Sequence, residues 1–277
     1  MPVIAMTQEM GSLAKDVALE LAATMKLNVL RHEVVEHVAG KMHVSSSLVK
    51  RLREGKAGLI ERVTTDTARV ALYSAEELYE LANQGNVVLR GWGATCLLRA
   101  VPHVVCVRIT RSFDKRVEWL MRHLETDDRE FAQGEIRRSD NAHASRMHQQ
   151  FGVSWGDPLL YDLVLNTDRL SVSSCVEQIR LLSARPEFQE SEASRQLLAD
   201  LTLAVRVRAA LKDQPSTQEI NITIEGRKGC AVLSGIVLNA SERSEAEKVA
   251  AQVKGVSSVE NKLRLMSSGR SFSYSKT

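Results

Sequence analysis

Aromatic side chains are scarce in this 277-residue chain, at 4% of its residues. That excludes the broad stacking platforms on which single-stranded nucleic acids lie. Charge of one sign is missing too. Lys plus Arg is 37 against 34 for Asp plus Glu, a net +3, with both signs spread along the chain. Such a balance gives no basic footprint for a phosphate backbone, so no nucleic acid is expected as a partner. Cysteine is sparse: Cys96, Cys106, Cys175 and Cys230 are well separated and form no C-x-x-C pair. They read as reduced, mostly buried thiols. No run approaches the roughly 18–20 apolar residues of a transmembrane helix. Residues 1–25 contain Glu9, Lys15, Asp16 and Glu20, which leaves no apolar signal-peptide core; the expected compartment is the cytoplasm. His143 and His148 lack ligand spacing and acidic partners, so no metal site is expected.

What is present is a soluble, globular composition, 44% hydrophobic and 26% charged. Residues 1–185 alternate short apolar runs with helical patterns. Val3–Met6, Asn86–Leu89, His103–Ile109 and Tyr161–Leu165 read as buried strands. Leu13, Val17, Leu21 and Met25 stripe one face of a helix. Further helices are expected over Gly93–Ala100, Phe113–Leu124 and Ser171–Leu182, and Ser74 with Glu77 reads as a capping box for a helix through Ala82. Strands alternating with helices predict an α/β domain with a mainly parallel, doubly covered sheet. Residues 186–196 are polar and carry a proline, and read as a linker. Residues 197–266 follow an αββαβ order, a small α+β module. Its first helix would present Leu198, Leu201, Val205 and Ala209. Its strands would be Ile220–Ile224, Cys230–Val237 and Val259–Leu265, with Glu225–Gly229 as the turn. Gly255 would stop the second helix. Residues 267–277 read as a mobile tail.

The amino-terminal strand, turn and helix form the place where such sheets hold phosphates, because a helix start offers unpaired N–H groups and a positive dipole end. Against the pattern G-x-x-x-x-G-K-[ST], residues 9–16 read Glu-Met-Gly-Ser-Leu-Ala-Lys-Asp. Lys15 stands at the phosphate lysine. Glu9 and Ala14 replace the glycines, and Asp16 replaces the magnesium-binding hydroxyl. An ordinary turn with a solvated Lys15 would show the same spacing. A second cationic region, residues 108–146, carries Arg108, Arg111, Arg116, Arg137, Arg138 and Arg146 among others. Eight acids share that stretch, so a mixed-charge surface helix pair is the plain alternative.

The run Ala5–Ala18 resembles the opening of the cytidylate kinase-like family, which usually has Ser-Arg-Glu-aromatic-Gly-Ser-Gly-Gly-basic-acidic there. Asn86–Ala94 resembles its second strand and Gly-Arg-Gly turn. Phe151–Pro158 followed by Tyr161–Ser171 is the most specific match, and the similarity runs from about residue 2 to 183. The resemblance implies a P-loop kinase-like parallel sheet flanked by helices that takes a nucleotide, with ATP and Mg2+ as cofactors. It implies that Gly11 and Ser12 form the loop, Lys15 contacts phosphate, and Asp16 holds magnesium through water. Gly91 and Trp92 would border the acceptor. Arg116, Arg137 and Arg138 would neutralise charge, and Asp140 would orient a lid arginine. The departures are Gln8 for arginine, Leu13 and Ala14 for two glycines, Trp92 for an acceptor-binding arginine, and Trp119 and His143 where arginine is common. If the turn requires positive φ at 13 or 14, it is strained or reshaped.

Residues 198–266 resemble the BON domain through Asp200–Leu201, Val232–Val237 and Val253–Leu263, with Gly235 as a strand kink. The resemblance implies a phospholipid or protein ligand. Three functions stay open: a weakened or regulatory nucleotide-binding protein, an active nucleoside monophosphate kinase, and a non-nucleotide scaffold. Homo-oligomerisation is open as well.

Overall fold

The computed structural model describes residues 1–29, 33–54, 56–91 and 93–266. The expected tail 267–277 and Trp92 lie outside the described residues. The chain divides into two compact units at Leu198 and Ala199. Among the described residues no helix is long and apolar enough to cross a membrane.

The first unit is built on five parallel strands, β1 (Val3–Gln8), β2 (Asn28–Val29), β3 (Val87–Arg90), β4 (Val104–Thr110) and β5 (Leu163–Asn166), in the order β2-β3-β1-β4-β5. Central β1 pairs Val3 with Val87 on one side and with Val104 on the other. Its first five residues are buried, as a strand covered on both faces requires. Helix α1 (Ala14–Met25) lays Val17, Ala18, Leu21 and Ala22 on the sheet. These meet Ile4, Val105, Val107 and, from the later helix α9 (Val172–Ser183), Cys175, Val176 and Ile179. The intervening helices are α2 (Glu33–Met42), α3 (Ser46–Glu54), α4 (Leu59–Thr64), α5 (Thr67–Gln84), α6 (Ala94–Leu97), α7 (Phe113–His123) and α8 (Arg129–Phe151). Asp128 caps α8 by accepting from Phe131 N at 2.8 Å. Burial pushes the Cys106 thiol up to about 12, which keeps it protonated and unreactive.

Several boundaries differ from the sequence expectation. Ser74 and Glu77 do not start a helix. Asp66 caps α5 two turns earlier, accepting from Ala68 N and Arg69 N, and the Ser74 hydroxyl donates back to Val70 O. That is the alternative use of a serine inside a helix. α6 is one turn rather than the eight residues expected, and β2 was not anticipated. The expected linker is ordered: a 3-10 turn at Pro186–Phe188 is followed by α10 (Glu192–Asp213). Ser191 and Ser194 exchange side-chain and backbone hydrogen bonds at its start, as a reciprocal cap does.

In the second unit, β6 (Thr223–Arg227) pairs antiparallel with β7 (Cys230–Val237), which pairs in parallel with β8 (Ser258–Leu265). Helix α11 (Ala240–Ala251) joins the last two strands, so the order is αββαβ. The face of α10 in this core is Ala204, Val207 and Leu211, meeting Leu233, Ala246 and Leu263. Of the residues expected on its face, Leu198, Val205 and Ala209 are buried and Leu201 is half-buried. The β6–β7 turn is only Lys228–Gly229, both at positive φ, the two-residue hairpin geometry that matches strand twist. Gly226 lies inside β6 instead, where an added Cβ would come within 2.2 Å of Asp200 O. α11 ends at Ala251, before Gly255, which occupies the following turn at φ 97°.

Candidate functional site

β1 and β3 end side by side, and Gly91 N donates back to Met6 O at 2.8 Å. The chain runs from β1 to β2 and β3 on one side of it, then crosses from β3 to β4 on the other. An open parallel sheet leaves a crevice beyond its carboxyl ends at such a point. The chain leaves β1 through Glu9–Leu13 and enters α1. Ser12 N donates to Glu9 O at 3.2 Å, Gly11 has φ 81°, and Leu13 has φ 63°. Gly11 is required twice over: a Cβ there would lie 3.1 Å from Trp119 Cε3 and 3.2 Å from Arg116 Cα. Of the two positions where glycines were expected, only Leu13 has a left-handed backbone. Ala14 is already helical, so the strain falls on one residue.

Leu13 is the N-cap of α1 and offers no side-chain acceptor. Among the described residues, no backbone carbonyl accepts from the N–H groups of Ala14, Lys15 or Asp16. Lys15 and Asp16 are exposed in this first turn, with the positive end of the helix dipole behind them. Met10 does not plug the mouth; it packs on the Val117, Leu120, Ala132 and Ile136 cluster of α7 and α8. Ser12 is buried, its carbonyl accepts from Thr167 Oγ1 at 2.9 Å, and its hydroxyl has no protein partner.

Glu9 turns away from the mouth into a set of cations. Its carboxylate accepts from Arg108 Nη2 at 2.7 Å, Thr110 Oγ1 at 2.7 Å and Arg111 N at 3.1 Å. Arg116 Nε lies 3.7 Å away. Arg116 is buried, and its two terminal nitrogens donate to Asp140 at 2.9 Å each. The fork-to-fork geometry fixes the guanidinium between α7 and α8. Arg137 and Arg138 are exposed on α8. The former lies 5.1 Å above the Phe113 ring, and the latter pairs with Glu135. Gly91 follows β3 at φ 81°. The structure therefore brings together Gly11, Ser12, Lys15 and Asp16, and separately pairs Arg116 with Asp140.

Sequence reasoning passed over Arg53 in α3 and Arg90 at the end of β3. Arg90 had a legible signal, since it closes a strand at the sheet's carboxyl edge. Arg53 Nη2 reaches within 4.0 Å of the place a Gly91 Cβ would occupy. Arg146, on α8, donates to the carbonyls of Leu52 and Arg53. His143 Nε2 lies 3.4 Å from Thr7 Oγ1, and its ring tilts onto Trp155 at 4.2 Å between centroids. Burial, followed by the charges of Arg146, Arg108 and Arg53, pushes its pKa down to about 4. It is neutral near pH 7. Among the described residues no group of three His, Cys, Asp or Glu could hold a metal ion.

The cytidylate kinase-like family matches over residues 3–169, and the BON domain over residues 199–266. No curated protein matches the chain. An uncharacterized protein from Eubacterium ventriosum ATCC 27560 has a similar structure, with a TM-score of 0.53 and 18% identity over 67% of this chain and 100% of its own. Shikimate kinase from Bacteroides thetaiotaomicron follows at TM-score 0.43 and 18% identity, over 65% and 97%. Deoxyadenosine kinase from M. mycoides, with bound dATP, follows at 0.36 and 9%, over 65% and 98%. The match over residues 3–169 spans more than half of the sequence, and with it the chain belongs to the cytidylate kinase-like family and carries a BON domain at its carboxyl end.

Proposed function

We propose that the first unit binds the phosphates of ATP at the mouth of α1, in a weakened or regulatory role rather than as a fast phosphotransferase. The observation that carries this reading is the uncapped start of α1. Its first-turn N–H groups lack backbone acceptors, and Lys15 stands exposed beside them. Backbone donors and a lysine in that arrangement suit a phosphate. Asp16 offers a hard oxygen donor for the magnesium that accompanies ATP, held through water. When bound there, magnesium would supply positive charge that offsets the phosphates.

Two features support the weakened role. Leu13 holds a strained turn where the family uses glycine. Arg116 is committed to Glu9 and Asp140, and freeing it for a transferring phosphoryl group would leave two carboxylates behind. Arg137 and Arg138 remain the exposed cations able to approach a bound nucleotide. A coupled ATP and nucleoside monophosphate assay, run beside a nucleotide thermal-shift panel, tests the reading. Stabilisation by ATP with negligible turnover is expected. Robust turnover abolished by Lys15→Ala would instead establish the active kinase, and no nucleotide response at all would favour the scaffold.

For the second unit we propose a ligand- or membrane-surface-binding role. Ile236, Leu238, Leu265 and Met266 are exposed at one end of β7 and β8, where Met266 N donates to Val237 O. Co-flotation of the full chain with anionic vesicles tests the membrane alternative. Loss of flotation in Leu238→Asp is the expected dependence on this patch.

A further inference from the structure

The sheet of the second unit has an edge at β8, which among the described residues pairs with β7 on one side alone. Met266 N donates to Val237 O, and in a parallel pair alternate residues direct both backbone groups at the neighbouring strand. Glu260, Lys262 and Arg264 therefore face β7 with their backbone, while Val259, Asn261 and Leu263 turn N–H and C=O outward. Leu263 N agrees, donating to Asn261 Oδ1 at 3.1 Å instead of to β7. An outward row of backbone groups is a template for one more strand.

The side chains of β8 alternate as well. Val259 and Leu263 enter the core, and Asn261 Nδ2 donates to Glu247 Oε2 at 2.7 Å and to Arg243 O at 3.2 Å on α11. On the other face Ser258, Glu260, Lys262 and Arg264 are exposed, with Glu260 and Lys262 paired at 2.9 Å. Charges on an edge strand discourage indiscriminate pairing. Here their sign changes across Asn261, so the strand is complementary to its own reverse. Antiparallel pairing sets outward residues opposite outward residues. Centred on Asn261, it places Glu260 opposite Lys262 of a second copy twice, once on each side of a two-fold axis. A centre at Glu260 or Lys262 sets that residue against its own copy, and a centre at Leu263 sets Lys262 against Arg264. Like charges directly opposite are unfavourable, which leaves the Asn261 register. The other edge, β6, is five residues long against eight for β8.

We propose that a second copy of this chain docks on the β8 edge, antiparallel and centred on Asn261, so that two three-stranded sheets continue across a two-fold axis. The same patch serves both copies, and such a contact closes at a dimer. Leu263 N exchanges its Asn261 acceptor for Val259 O of the second copy. The two Glu260–Lys262 pairs between copies lie at the positions without backbone bonds, where opposed side chains come closest. With one strand from each copy the interface is small, so the dimer is weak and its population rises with concentration. The proposal rests neither on the nucleotide reading nor on the apolar patch at Leu238.

The test is sedimentation velocity of the full chain over a concentration series at low salt. The parent is expected to pass from monomer to dimer and to stop there. Glu260→Lys and Lys262→Glu each set like charges opposite at both pairs, and each should weaken the dimer by about tenfold or more. Mixed in equal amounts, the two variants present a doubly positive strand to a doubly negative one and should form a heterodimer about as tight as the parent dimer. That recovery also shows both variants to be folded. Glu225→Lys, the same charge change on β6, should leave the association unchanged. A parent that stays monomeric at every concentration overturns the proposal, as does growth beyond the dimer. A dimer indifferent to both β8 variants, a mixture that fails to pair, or equal weakening by Glu225→Lys overturns it too.

Discussion

Leu13 and Ala14 are neighbours at which glycine should have opposite consequences. Leu13 has φ 63° and ψ 13°, a conformation that costs an L-residue about 1–2 kcal/mol. Leu13→Gly removes that strain. Glycine's extra freedom in the unfolded chain takes back about 0.5–1 kcal/mol, and the half-buried leucine side chain accounts for up to about 1 kcal/mol more. The variant should therefore sit within about 1 kcal/mol of the parent. Ala14 is helical and 3% exposed. Ala14→Gly loses about 1 kcal/mol of helix propensity and about 0.8 kcal/mol of buried methyl, for a loss near 2 kcal/mol. Urea unfolding followed by tryptophan fluorescence measures both, because all three tryptophans, Trp92, Trp119 and Trp155, precede residue 198. Equal losses in the two variants, or a Leu13→Gly loss above that of Ala14→Gly, would refute the assignment of strain to residue 13.

Other perturbations reach different parts of the account. Asp140→Asn should cost about 2–3 kcal/mol, because Arg116 stays buried without its charged fork partner; the same fluorescence assay reads it. His143, held at about 4 by burial and nearby arginines, binds fewer protons folded than unfolded between pH 6.5 and 4. Its contribution is fully present above pH 6.5 and lost as pH falls toward 4. Stability measured across that window should decline less steeply in His143→Gln than in the parent. In the second unit, Gly226→Ala forces a methyl against Asp200 O and should cost at least about 1–3 kcal/mol. Hydrogen exchange of β6 and β7 should lose protection there while β1 and β4 keep theirs.

Much of the frame is legible because buried parallel strands are continuous apolar runs. Val3–Met6 and Val104–Ile109 announce themselves, and Leu13, Val17, Leu21 and Met25 carry a clear helical period. The module after residue 197 is legible through Ile222 and Ile224 and the β7 run, while the turn expected over Glu225–Gly229 shrinks to Lys228–Gly229 because Glu225–Arg227 pair within β6. Residues 33–64 are harder: Val34, Val35, Val38 and Ala39 of α2 carry a helical period, but α3 buries only Val49 among the side chains described there. Arg53 comes from α3, and its approach to Gly91 is visible only in the fold. Ser74 misled because a serine followed by a glutamate has the spacing of a cap, although a serine in mid-helix can satisfy itself on the preceding turn. At the α1 mouth the residues were readable and the backbone was not. Only coordinates show that the left-handed turn falls on Leu13 and spares Ala14, and that Glu9 points into the arginines.

The most direct measurement is calorimetric titration of the full chain with ATP and magnesium, in parent and Lys15→Ala protein. A phosphate held by Lys15 and the first-turn amides requires saturable binding that weakens at least tenfold in the variant, the loss of one charge-assisted contact. Absence of ATP binding, or binding indifferent to Lys15, would contradict a phosphate site at the start of α1.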